Sequence, residues 1–159
     1  MCVCVCPWLI KKVMLGNNSK IYVDTSAFYA LLDRSDRHHE QASALWPALL
    51  DDNVTLITSN YVVWETVSLL QNKIGFKAAS LWCKDILGVM EIWWVDATTH
   101  QRAYELWLNL GRMRLSLVDC VSFVTMHQHD IEKVFCFKPH FTEYGFELLT
   151  VSLNGGAVC

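Results

Sequence analysis

Lys20-Ile21-Tyr22-Val23-Asp24-Thr25-Ser26-Ala27 is the stretch on which the fold turns. A short apolar run ends in an acid, and Thr25-Ser26 then offers an N-cap for a helix over residues 27–32. A strand handing over to a capped helix is the unit from which α/β domains are built, and the chain goes on repeating it. Residues 36–50 read as a helix that Pro47 is expected to kink or break. Residues 54–58 are β-branched and short, a second strand. Asn60 is placed to cap a helix running to Lys73, and Gly75 to end it. Helices are expected over residues 76–87, 98–110 and 116–129, and strands over residues 91–95, 133–137 and 146–151, with a short helical turn at 139–144. The pattern predicts an α/β fold of three layers, a mostly parallel five-stranded sheet flanked by helices. In such open sheets ligands bind beyond the carboxyl ends of the strands.

Composition narrows the field. The 159 residues suit one domain, and 53% hydrophobic with 18% charged residues excludes a disordered chain. No run of about 18 residues is free of charges or breakers, so no membrane span is expected. Thirteen basic against sixteen acidic residues give a net charge of −3, which excludes binding of nucleic acid by bulk positive charge. Any such function must lie in a small local site. Seven cysteines, three of them in Cys2-Val-Cys4-Val-Cys6, make no secreted disulfide framework, and Cys83, Cys120 and Cys136 read as small core residues. Lys11-Lys12 follows the first apolar stretch rather than preceding it, so no signal peptide is read and a reduced cytoplasmic protein is expected. Residues 1–19 read as an appendage, disordered or a mis-assigned start, residues 20–151 as the domain, and residues 152–159 as a flexible tail.

Three carboxylates stand in apolar company: Asp24, Glu65 and Asp119. An unpaired buried carboxylate is costly, so each needs a partner or water. Asp24 ends a strand, while Glu65 and Asp119 lie early in their helices, where the positive dipole end favours anions. All three are thus expected at one edge of the sheet. A hard divalent cation, Mg²⁺ or Mn²⁺, resolves the repulsion among converging carboxylates and can activate water at a phosphodiester. Each acid also has a local reading. Asp24 can cap the helix after it, Ser116-Leu-Val-Asp119 fits a capping box, and Glu65 shares a polar stripe with Tyr61, Ser68 and Asn72.

Taken together, Val23-Asp24-Thr25-Ser26-Ala27, Glu65 in its capped helix, Leu115 to Phe123, Val134 to Phe141 and Tyr144 to Leu149 resemble a PIN domain. The nearest look is to the toxins of bacterial VapBC toxin–antitoxin pairs. The resemblance spans residues 20–151 and implies a parallel sheet wrapped by helices and Mg²⁺- or Mn²⁺-dependent cleavage of RNA. It also implies a cognate antitoxin and a homodimer. By position, Asp24, Glu65 and Asp119 match the family's metal-holding acids, Thr25 or Ser26 a hydroxyl beside the first, and Ser116 the residue opening the helix of the third.

One position departs from the pattern. Family members usually carry another Asp after the fourth strand, where this chain has Lys138 in Phe137-Lys138-Pro139-His140-Phe141. An ammonium about 5 Å from a divalent ion is repelled by several kcal/mol at an effective dielectric of about 20. Lys138 therefore has three readings: turned to solvent, leaving a three-acid site of weaker metal affinity; lying among the acids as an internal counter-ion that replaces the metal; or contacting a substrate phosphate. It also motivates an alternative function, a PIN-like binding or scaffold module with impaired catalysis. Arg112 and Arg114, just before the Asp119 helix, are the candidates to touch an RNA backbone. His38-His39 read as surface histidines. Trp46, Trp64 or Trp82 are candidates to line a groove for a partner's amphipathic segment or a dimer face.

Overall fold

The computed structural model describes residues 19–50 and 54–149. The expected appendage (save Ser19), the tail and the last two residues of the expected fifth strand lie outside them. Five strands form one all-parallel sheet: β1 (Ser19–Val23), β2 (Val54–Ser59), β3 (Glu91–Trp93), β4 (Lys133–Phe135) and β5 (Glu147–Leu148). Their spatial order is β3-β2-β1-β4-β5. The chain leaves β1 toward β2 and β3, then returns on the other side with β4 and β5. The boundary between β1 and β4 is thus the topological switch, where strand ends open a crevice.

Among the described residues, seven α-helices flank the sheet: α1 (Thr25–Leu32), α2 (His39–Leu49), α3 (Asn60–Lys73), α4 (Phe76–Leu81), α5 (Ala97–Leu110), α6 (Leu117–Gln128) and α7 (His140–Glu143). α1 packs on α2 and α3, α3 on α6, and α6 on α5. The core holds Ile21, Tyr22 and Val23 of β1, Ile57 of β2, Val134 and Phe135 of β4, and the fully buried Trp82, whose ring meets Phe28 edge-on at 5.0 Å. Phe123 of α6 gathers Phe141 and Tyr144, at 4.8 and 4.4 Å between ring centroids, and so docks α7 onto α6. Among the described residues no helix is long and apolar enough to cross a membrane.

Several local expectations shift. The N-cap of α1 is Asp24, which accepts from the Ser26 amide, so helix starts two residues earlier than expected. Ser59 rather than Asn60 caps α3, and Asn60 instead accepts from the Val95 amide at 2.9 Å, tying the segment after β3 to the start of α3. Pro47 does not break α2, which runs on to Leu49. It falls in the last turn, where a single lost backbone bond is offset by the burial of Leu45 and Leu49 on either side. The expected single helix over residues 76–87 is α4 followed by a π-helical turn, Trp82–Ile86, and a 3₁₀ turn, Leu87–Val89. That widening accompanies the burial of the Trp82 ring. Cys120 and Cys136 are buried as expected, but Cys83, beside Trp82 on the π turn, is exposed.

Candidate active site

Three elements bring carboxylates to the carboxyl end of β1. Asp24 follows β1 directly and is fully buried. Asp119 sits in the first turn of α6, 2% exposed. Glu65 comes from the second turn of α3 and is half-buried. Lys138 arrives on the loop between β4 and α7, on the far side of the switch.

The two aspartates divide their oxygens. Asp24 Oδ2 accepts from the Ser26 amide at 2.9 Å and from the Ser26 hydroxyl at 2.7 Å. Asp119 Oδ2 accepts from the Ser116 amide at 2.8 Å, while the Ser116 hydroxyl accepts from the Asp119 amide at 3.1 Å. Both local capping readings therefore hold, including the capping box. Neither uses up the carboxylate, because Oδ1 of each is left for the centre they share. The Lys138 ammonium stands 2.7 Å from Asp119 Oδ1 and 3.4 Å from Asp24 Oδ1. Lys138 thus lies among the acids, paired with both aspartates, and is not turned to solvent. Burial opposes the charge on Lys138. Asp24, Asp119, the hydrogen bond to Asp119 and Glu65 outweigh it, and together hold its pKa above that of a free lysine.

Glu65 is differently placed. Its Oε2 is buried and has no hydrogen-bond partner. Burial raises its pKa above the ordinary glutamate value; the nearby Thr25 hydroxyl and Lys138 pull down, Asp24 and Asp119 up. Thr25 is itself held by a 3.2 Å hydrogen bond from Thr66. Among the described residues no three His, Cys, Asp or Glu side chains are drawn together as a ready metal cage. The ammonium stands between the aspartates instead.

Two open depressions meet at Glu65. A groove of about 650 Å³ is lined by Tyr61, Trp64, Glu65, Ser68, Asn72 and Val118, so the polar stripe of α3 is its wall. A second, of about 370 Å³, includes Thr25, Ser26, Arg37, His38, Glu65 and Lys138. Trp64 is 76% exposed, Trp46 packs partly against the core, and Trp82, fully buried, is removed from the groove-lining candidates. Arg112 is exposed and paired with Glu143 at 2.6 Å; together with Arg114 it edges a separate depression beside His140.

Sequence reasoning missed four participants. Arg37 and His38 line the second depression, His38 with its ring stacked on Phe137 at 4.4 Å. His140 Nε2 lies 3.4 Å from Asp119 Oδ2. Beneath the acids the Tyr22 hydroxyl donates to Ser59 at 3.0 Å and meets Ser122 at 3.1 Å, and burial pushes its pKa to about 12. The only sequence signal for His140 was its place in the run after Lys138.

The chain matches the PIN domain family over residues 21–147. It is 32% identical over 127 residues to a 23S rRNA-specific endonuclease, VapC20 of Mycobacterium tuberculosis, covering 79% of this chain and 95% of that protein. The crystal structure of VapC20, a Sarcin-Ricin loop cleaving toxin, superposes with a TM-score of 0.73 at 29% identity, over 82% of this chain and 98% of that one. VapBC2 from Rickettsia felis, bound to a promoter DNA fragment, shares the fold with a TM-score of 0.62 at 11% identity, over 82% and 97% of the two chains. FitAcB from Neisseria gonorrhoeae shares it with a TM-score of 0.56 at 21% identity, over 81% and 96%.

Proposed function

The chain belongs to the PIN domain family, and on that premise we propose that it is a metal-dependent endoribonuclease, the toxin of a toxin–antitoxin pair. The observation that carries this is the meeting of Asp24 and Asp119 on one ammonium at the switch between β1 and β4, with Glu65 near enough to feel the charge of all three. The relative named as an endonuclease matches nearly end to end, which supports an enzyme over the scaffold alternative.

PIN nucleases depend on a divalent metal, and the residues here suit one. The donors are hard carboxylate oxygens, Oε2 of Glu65 is buried without a partner, and the aspartates already face a positive charge. Asp24, Glu65 and Asp119 would hold the ion, Mg²⁺ or Mn²⁺. When bound, such an ion activates water and offsets charge on a phosphodiester. The chain's own groups do the positioning. Ser26 fixes the Asp24 carboxylate and is itself fixed by the Phe137 amide at 3.0 Å, so α1 and the loop after β4 hold one acid between them. Ser116 fixes Asp119 through the capping box. Thr25 favours the ionised form of Glu65, which must lose its proton to take up a cation.

The RNA backbone would run past Arg112 and Arg114. The groove walled by Tyr61 and Trp64 suits an amphipathic segment of a cognate antitoxin, a partner supported by the VapBC and FitAcB neighbours. A homodimer acting in the cytoplasm completes the proposal. The test is cleavage of ribosomal RNA by the purified protein with added Mg²⁺ or Mn²⁺. Cleavage that stops with chelator and with Asp24→Asn is expected; cleavage indifferent to Asp24→Asn overturns the site.

A further inference from the structure

We propose that Lys138 is a resident cation of the acidic centre, tethered to the chain, which a divalent ion must displace before Asp24 and Asp119 can both ligate it. The inference rests on the metal-holding reading of those acids. Its own support is geometric. The ammonium is 2.7 Å from Asp119 Oδ1 and 3.4 Å from Asp24 Oδ1, the two oxygens that helix capping leaves open. An ammonium and a metal ion cannot share those oxygens at contact distance, because two cations so close repel strongly.

The loop delivers Lys138 to this place. On one side the Phe137 amide is bonded to Ser26 Oγ; on the other the Lys138 carbonyl accepts from the Phe141 amide at 3.3 Å. Pro139 confines the residue before it to extended backbone. The anchor points thus hold the main chain of Lys138 beside β1, and the side chain, one quarter exposed, keeps a route to solvent. Lys138 thus already partners both aspartates. Withdrawal of one flexible side chain frees Oδ1 of both aspartates.

The experiment titrates Mn²⁺ alone into the full-length protein, following free Mn²⁺ by electron paramagnetic resonance, and records melting in chelator and in Mn²⁺. Three proteins are compared: native, Lys138→Met and Lys138→Arg. The methionine variant is expected to bind Mn²⁺ about tenfold or more tightly than native, while arginine, which keeps the charge, stays near native. In chelator the methionine variant melts below native, because two buried carboxylates lose their partner, and Mn²⁺ restores it by mass action. If Lys138→Met does not fold, Lys138→Gln removes the charge while keeping a donor, with the same expected shift. Native and uncharged variants that bind Mn²⁺ equally overturn the inference and leave the metal-holding reading standing. No Mn²⁺ binding by any variant overturns both.

Discussion

Asp119 enters the acidic centre with both oxygens engaged, one by Ser116 and one by Lys138, whereas Glu65 brings an oxygen that touches no donor. The contrast separates two kinds of acid in one site. Asp119, like Asp24, belongs to the fold as well as to the chemistry, since each closes the first turn of a helix. Glu65 contributes nothing of that kind, and burial works against its charge. A structure that bears such a cost has kept the group for something other than stability.

That contrast can be broken experimentally. The largest effect is expected from Asp24→Asn, which should lower RNA cleavage about a hundredfold or more by removing charge from the proposed ligand set; single-turnover assays measure it. Next comes Asp119→Ala, which leaves the Lys138 ammonium only its longer contact with Asp24 and removes half the capping box; urea unfolding should show a loss of about 3 kcal/mol. Ser116→Ala removes only the cap, and about 1 kcal/mol should disappear in the same experiment. Smallest, and opposite in sign, is Glu65→Gln. A folded-state pKa raised above the unfolded one means stability is fullest at low pH and declines as pH rises through the ordinary glutamate value and up to the folded one. In chelator the glutamine variant should therefore match native near pH 4 and melt slightly above it at pH 7. If Glu65→Gln melts well below native at pH 7, Glu65 is structural and the division between the acids collapses.

Much of this was legible before any coordinates. Asp24, Glu65 and Asp119 stand out because each interrupts an apolar segment whose period names a strand or a helix, and Ser116-Leu-Val-Asp119 spells its own cap. What failed was local choice between equals. Ser59 and Asn60 are both good caps, and only the pull of the Val95 amide on Asn60 decides between them. The π turn at Trp82–Ile86 leaves no trace in a helical pattern, because one extra residue is absorbed without changing which types are apolar. That turn also hid the exposure of Cys83 and the burial of Trp82. Where the Lys138 side chain points depended on the pairing of β4 with β1 and on the anchors around Pro139, neither of which a linear reading contains.

The hydrogen bond from the Phe137 amide to Ser26 joins residues 111 positions apart. The acidic centre spans that interval and its flanks, with Asp24 just before its start and Lys138 just past its end. A growing chain emerging from the ribosome therefore carries the first acid long before it carries the partners that position it. Only when β4 has been synthesised and has paired with β1 does the centre exist. The proposed nuclease site is thus among the last parts of the fold that the chain can complete.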